Sequence, residues 1–155
     1  MLNNSDVTSA LADLERRQVI SRIWIGDHTV WKPDPAEISN RLEWLTVTDA
    51  MREQAPAMET FANEIRDEGF KHFALLGMGG SSLGPEVLRQ TFGNAPGYPE
   101  LIVLDSTVPA WVQSVADAVD PAETLFLVSS KSGLTTEPNM FYAYFRNLLE
   151  TAVGK

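Results

Sequence analysis

Two short stretches carry residue types suited to gripping an anion. In Ser130-Lys131-Ser132-Gly133-Leu134-Thr135-Thr136-Glu137, three hydroxyl side chains (Ser130, Ser132 and Thr135) surround one glycine, ahead of an expected helix start. Hydroxyls together with the N–H groups of a first helical turn form a cradle for a dianionic phosphate, and the helix dipole favours the charge. Lys131 either adds a cation or points to solvent. Glu137 is not a phosphate ligand, and it reads as an acid reaching back to a backbone N–H to cap the loop. The second stretch is Gly77-Met78-Gly79-Gly80-Ser81-Ser82-Leu83-Gly84. Its glycines permit positive φ and let backbone N–H groups approach a ligand closely, while its serines add hydroxyls. Each stretch also has a plain reading: a polar strand-to-helix loop in one case, a tight strand-to-helix turn in the other.

Known nucleotide loops fit the second stretch poorly. A dinucleotide fingerprint counted from Gly77 and Gly79 requires glycine where Ser82 stands. A P-loop requires Lys-Ser or Lys-Thr after Gly84, where Pro85-Glu86 follows. Asp105 imitates the ribose-binding acid of a dinucleotide domain, but an acid at a strand end equally caps a turn.

These loops need strands and helices to hold them. Three apolar runs, Phe73–Leu76, Leu101–Leu104 and Leu125–Val128, each end in Gly, Ser or Asp. Such runs suit strands buried on both faces. Helical patterns follow each run, over Pro85–Gln90, Pro109–Val119 and about Glu137–Leu149. The order β-α-β-α-β-α predicts a three-layer α-β-α fold on a parallel sheet, with right-handed crossovers. Ligands of such sheets sit beyond the carboxyl ends of the strands, which is where both stretches fall. Three strands are few for this architecture, so the expectation is an incomplete sheet.

The first seventy residues read instead as a helical extension, which divides the chain into 1–70 and 71–155. Ser5 or Asp6 is expected to cap a helix whose face carries Val7, Leu11, Leu14, Ile20, Ile23 and Trp24, stopped at Gly26. Asp34, Pro35 and Glu37 read as cap, first position and capping-box acid of a second helix, with Ile38, Leu42 and Leu45 on one side. A third helix places Met51, Ala55, Met58, Phe61 and Ile65 on a stripe read as core packing. It ends at Gly69, with a kink or boundary expected at Pro56.

Composition narrows the functions. A net charge of −9 argues against a nucleic-acid partner, yet leaves room for a small phosphorylated ligand held by oriented N–H groups. The absence of cysteine excludes disulfides, thiolate catalysis and cysteine metal sites. No apolar stretch is long enough for a membrane span and the first residues are polar, so no membrane partner is expected and the cytoplasm is the default location. No metal ligand set and no cofactor are assigned.

The two loops resemble those of the SIS (sugar isomerase) family. Ser-x-Ser-Gly-x-Thr-x-Glu at 130–137 is similar to its phosphate loop, and Gly79-Gly80-Ser81 to the glycine-serine turn of glucose-6-phosphate isomerases. Residues 73–86, and the segment around Ile23-Trp24 and His28–Pro33, also resemble the isomerase half and the joining stretch of transaldolase/glucose-6-phosphate isomerase fusions. Ser132-Gly133 stands where the commonest isomerases have threonine and a bulky residue, nearer the general SIS pattern.

The resemblance implies a first SIS-type domain, and glucose 6-phosphate or fructose 6-phosphate as ligand. It implies sugar-phosphate contacts from Gly79, Gly80, Ser81, Ser130, Lys131, Ser132 and Thr135, and it leaves the oligomeric state of the parent enzyme open. The reaction implied is aldose–ketose interconversion through an enediol, with a glutamate base and ring-opening histidine and lysine supplied from later in the family's chains. No catalytic residue is therefore identified here, and this chain alone is expected to be inactive. The alternatives are a non-catalytic SIS-type module that binds sugar phosphates and, disfavoured by Ser82, a nucleotide-binding oxidoreductase domain.

Overall fold

The computed structural model describes residues 4–154. The chain forms two compact units that divide between Pro56 and Ala57.

In the first unit, α1 (Asn4–Arg16) and α2 (Val19–Trp24) replace the single helix expected. The break falls at Gln18, whose φ of 50° is left-handed, a conformation that ends a helix for any L-residue. Ser5 and Asp6 lie inside the first turn of α1 rather than capping it. Beyond Gly26, Asp27 caps a short 3₁₀ turn, His28–Val30, by accepting from the Thr29 N–H at 2.9 Å. Its carboxylate also accepts from the Thr29 hydroxyl at 2.6 Å and from Arg22 Nε at 2.8 Å. The Thr29 hydroxyl first, and then Arg22, hold this carboxyl down at about 2. His28 donates from Nε2 to the Pro33 carbonyl at 3.0 Å, a structural hydrogen bond.

The helix expected from Asp34 does not form. Asp34 does accept from the Ala36 N–H at 2.9 Å, as a cap should, but Glu37 turns left-handed at φ 60° and the chain continues as two 3₁₀ turns, Ser39–Arg41 and Glu43–Leu45. Glu37 pairs with Arg41 at 2.6 Å instead of closing a capping box. The apolar spacing misleads here for a simple reason. Residues three apart share a side in a 3₁₀ turn as they do in an α-helix, so Leu42 and Leu45 still meet Trp24 and Ile25 around one small cleft. The Trp24 and Trp44 rings stand 6.4 Å apart and are tilted by 57°.

Helix α3 (Val47–Asp67) runs unbroken through Pro56, although the division between the units falls at that residue. The stripe read as core is mostly uncovered: Ile65 is buried, while Met58 and Phe61 are 52% and 48% exposed. A periodic apolar face shows what a helix can cover, not that a neighbour covers it.

The second unit holds the parallel sheet: β1 (His72–Gly77), α4 (Gly80–Phe92), β2 (Glu100–Leu104), α5 (Pro109–Ala118), β3 (Thr124–Ser129) and α6 (Thr136–Val153). The strand order is β2-β1-β3, with both pairings parallel. Side chains alternate across the pleat, so each strand feeds two layers. Leu76 and Leu104 pack with Val115 of α5 and with Phe141 and Phe145 of α6 in the central core. Phe73, Leu75 and Leu101 face the other way, toward Ile65, Pro85 and Leu88. Helices therefore cover both faces, with α5 and α6 on one side and α4 with the end of α3 on the other. This is the three-layer arrangement expected from the apolar runs. β3 forms one edge, and its Leu127 and Val128 are 42% and 38% exposed.

Candidate functional site

All three strands end at the same side of the sheet because all run parallel. Gly77 pairs with Ser129 in the register of β1 and β3, so the loops that follow these two strands leave from neighbouring positions. The helix after β1 goes to one face and the helix after β3 to the other. In open α/β sheets, such a divergence between adjacent strand ends marks the place where ligands bind.

The loop after β1 is shorter than its sequence suggests. Pro85, read as a first helical position, lies well inside α4, which starts at Gly80. Gly79 precedes it with φ 57° and ψ −127°, a conformation essentially reserved for glycine. Gly80 and Ser81 are thus first-turn residues at the positive end of a thirteen-residue helix. The Ser81 N–H reaches the Met78 carbonyl at 3.2 Å, and the Ser82 N–H reaches the Gly79 carbonyl at 3.1 Å. Ser82 is buried and its hydroxyl donates to the same Gly79 carbonyl at 3.0 Å. The residue that breaks the dinucleotide fingerprint thus pins this turn shut.

Gly77 has a role that its sequence context did not reveal. A Cβ built there would stand 3.2 Å from the Ser81 carbonyl oxygen and 3.3 Å from that of Ser129. Both neighbours are backbone, one from each of the two site-forming segments. The absent side chain is what lets them close on each other.

The loop after β3 is built from side chains. The Ser130 Oγ accepts from the Gly133 N–H at 3.1 Å and donates to Thr135 Oγ1 at 3.3 Å. Ser132 Oγ accepts from the Leu134 N–H at 3.2 Å and lies 3.4 Å from Thr135 Oγ1. The three hydroxyls singled out in the sequence are therefore drawn together. Lys131 is exposed beside them, and Leu134 at the tip is 84% exposed. Thr135 is the N-cap residue of α6, and Thr136 and Glu137 contribute first-turn N–H groups that no intrahelical carbonyl can satisfy. Glu137 occupies the second helical position, one short of where a capping-box acid reaches back. The bonds that close this turn come from Asn139, whose Nδ2 donates to the carbonyls of Gly133 at 3.2 Å and Thr135 at 3.0 Å. Its signal in the sequence is slight: an amide four residues after an N-cap threonine. The buried Pro138, Phe141 and Phe145 seat α6 on the core behind the loop.

Asp105 lies exposed beyond the end of β2, and the Ser106 hydroxyl there accepts from the Val108 N–H at 3.3 Å. His28 belongs to the other unit. Among the described residues, no group of three or more His, Cys, Asp or Glu is placed to hold a metal ion. No helix among them is long and apolar enough to cross a membrane.

A family model described as phosphoglucose isomerase matches residues 42–152, a span that includes the whole sheet and both loops. The chain belongs to the phosphoglucose isomerase family. Among its phosphoglucose isomerase relatives, the glucose-6-phosphate isomerase of Staphylococcus saprophyticus subsp. saprophyticus is 31% identical over 123 residues, covering 76% of this chain and 28% of that protein. The glucose-6-phosphate isomerase of Carboxydothermus hydrogenoformans is 32% identical over 112 residues, covering 66% and 24%. A crystal structure of a hypothetical protein from Thermus thermophilus superposes with a TM-score of 0.63 at 26% identity, over 94% of this chain and 31% of that one. The chain thus spans less than a third of the length of these phosphoglucose isomerase relatives and of that structural neighbour.

Proposed function

We propose that residues 71–155 are a first SIS-type domain that grips the phosphate of glucose 6-phosphate or fructose 6-phosphate for an isomerase interconverting the two. The observation that carries this reading is the pair of polar loops on neighbouring parallel strands whose helices depart to opposite faces. Membership of the phosphoglucose isomerase family supports it. Gly79, Gly80 and Ser81 offer backbone and hydroxyl donors from one side. Ser130, Ser132 and Thr135 offer hydroxyls from the other, with the N–H groups of Thr136 and Glu137 behind them and Lys131 as an added cation.

The chemistry of the loop suits exchange with a phosphate. The hydroxyl–hydroxyl distances of 3.3 and 3.4 Å are long for O–H···O bonds, so they are weak and readily given up for charge-assisted bonds to phosphate oxygens. The chain's own part in the reaction is to bind and orient. No proton-transfer step is assigned to its residues.

Calorimetric titration of the chain with fructose 6-phosphate tests the reading, with NADH as the contrasting ligand. Saturable heat with the sugar phosphate and none with NADH is expected, since Ser82 stands where a dinucleotide fingerprint needs a glycine for close helix–strand packing. Binding of NADH alone would reverse the assignment. A coupled isomerase assay on the same sample separates gripping from turnover.

A further inference from the structure

We propose that Asn139 is a positioning residue for the phosphate loop, aiming its donors at the ligand through a two-carbonyl clamp. The inference rests on the reading of residues 130–137 as the phosphate grip. Asn139 lies on the first turn of α6, yet its side chain reaches back out of the helix. Both of its partners are carbonyl oxygens, at 3.2 Å on Gly133 and 3.0 Å on Thr135, so the atom facing them is the donating NH₂. The helix's own bond at this point is weak, because the Asn139 backbone N–H lies 3.5 Å from the Thr135 carbonyl. The side chain supplies the firmer hold.

The consequence follows from peptide geometry. In a trans peptide the C=O and the N–H point in opposite directions. The Gly133 carbonyl shares its peptide with the Leu134 N–H, and the Thr135 carbonyl shares its peptide with the Thr136 N–H. Drawing both carbonyls toward α6 turns both N–H groups the other way, out of the helix end. The Leu134 N–H then meets Ser132 Oγ at 3.2 Å, which occupies a lone pair of that hydroxyl and leaves its proton to be shared weakly with Thr135 Oγ1 at 3.4 Å or given to a ligand oxygen. The Thr136 N–H is left as a first-turn donor with no intrahelical acceptor. Gly133 takes the positive φ of 68° that this twist requires. One amide thus sets two peptide planes and one hydroxyl.

The test is titration of the full chain with fructose 6-phosphate and, separately, with inorganic phosphate. Asn139→Leu keeps the size and removes the donors. Weakening of about ten-fold is expected for both ligands, with the thermal transition little changed. Asn139→Gln restores an NH₂ group and should recover most of the loss, which a role in folding alone would not produce. Combined with Thr135→Val, Asn139→Leu should add less than its separate effect, because both act on one loop.

Ser132→Ala and Thr135→Val serve as controls for the site itself. If they weaken binding while Asn139→Leu does not, the clamp is overturned and the site stands. If neither control matters, or the unsubstituted chain binds neither ligand, the site reading fails and the clamp with it. Should Asn139→Leu not fold, Asn139→Asp decides. It cannot donate to the carbonyls at neutral pH, and affinity equal to that of the unsubstituted chain would overturn the proposal.

Discussion

The loops after β1 and β3 reach the same kind of surface by opposite means. The first is nearly all backbone. Gly79 adopts a conformation that other residues avoid, α4 starts at once, and the one buried hydroxyl, Ser82, is spent on the turn itself. The third is nearly all side chain: Ser130, Ser132 and Thr135 bond to one another and to the loop N–H groups, and an amide ties the turn to α6. A turn made of backbone is fixed in shape and offers few donors. A turn made of hydroxyls can trade its internal bonds for a ligand's. On the proposed reading, the first loop sets the shape of the site and the third supplies most of the grip.

The largest expected effect tests that division directly. Ser132→Ala or Thr135→Val should weaken fructose 6-phosphate binding by roughly ten- to a hundred-fold, since a hydrogen bond to a charged group is worth about 1.5–3 kcal/mol. Ser81→Ala, measured by the same calorimetry, should cost clearly less. Equal losses at Ser81 and Ser132 would erase the distinction.

A smaller effect probes the first loop as shape. Gly79→Ala forces a side chain into a region that costs about 1–3 kcal/mol, so urea unfolding should show a lowered midpoint with an unchanged slope. Gly77→Ala should behave similarly, because two backbone carbonyls must yield to its Cβ. Unaltered stability in both variants would mean that the turn is looser than its dihedral angles indicate.

The smallest effect marks where the site ends along α4. The Arg89 guanidinium, and then the Gln90 amide, hold the Glu86 carboxyl at about 2, below its ordinary 4.5. A depressed carboxylate contributes its stability above the ordinary value and loses it as pH falls toward the depressed one. The difference in melting temperature between the unsubstituted chain and Glu86→Gln should therefore be present near neutral pH and vanish in acid near pH 2. Fructose 6-phosphate affinity at neutral pH should not change. A loss of affinity would extend the site down the helix.

Much of this is legible in the sequence. The three strands announce themselves because a strand buried on both faces must be a short apolar run, and the glycines and serines after it must be loop. The hydroxyl cluster was legible for a related reason, since Ser130, Ser132 and Thr135 are close enough along the chain to meet without long-range help. What escaped depends on the third dimension. The start of α4 was misplaced because a proline looks the same at the first position as inside a helix whose earlier turns are glycine and serine. Gly77 matters only because β3 lies beside β1, a pairing that no local pattern encodes. Asn139 acts through carbonyls, and backbone acceptors leave no trace in the sequence. The stripe on α3 and the turns at 39–45 were overread because apolar spacing reports a shared side, and neither helix type nor coverage follows from that.

The tilted indole pair of Trp24 and Trp44 has a practical consequence for such measurements. Three of the four tryptophans, at 24, 31 and 44, precede Pro56, whereas all three tyrosines, at 98, 142 and 144, follow it along with Trp111. Indole emission, and any exciton couplet in circular dichroism from the close pair, will therefore report chiefly on the unit without the loops. Tyrosine absorbance, or emission from a chain that keeps Trp111 alone, is the optical channel that reports on the unit holding the loops.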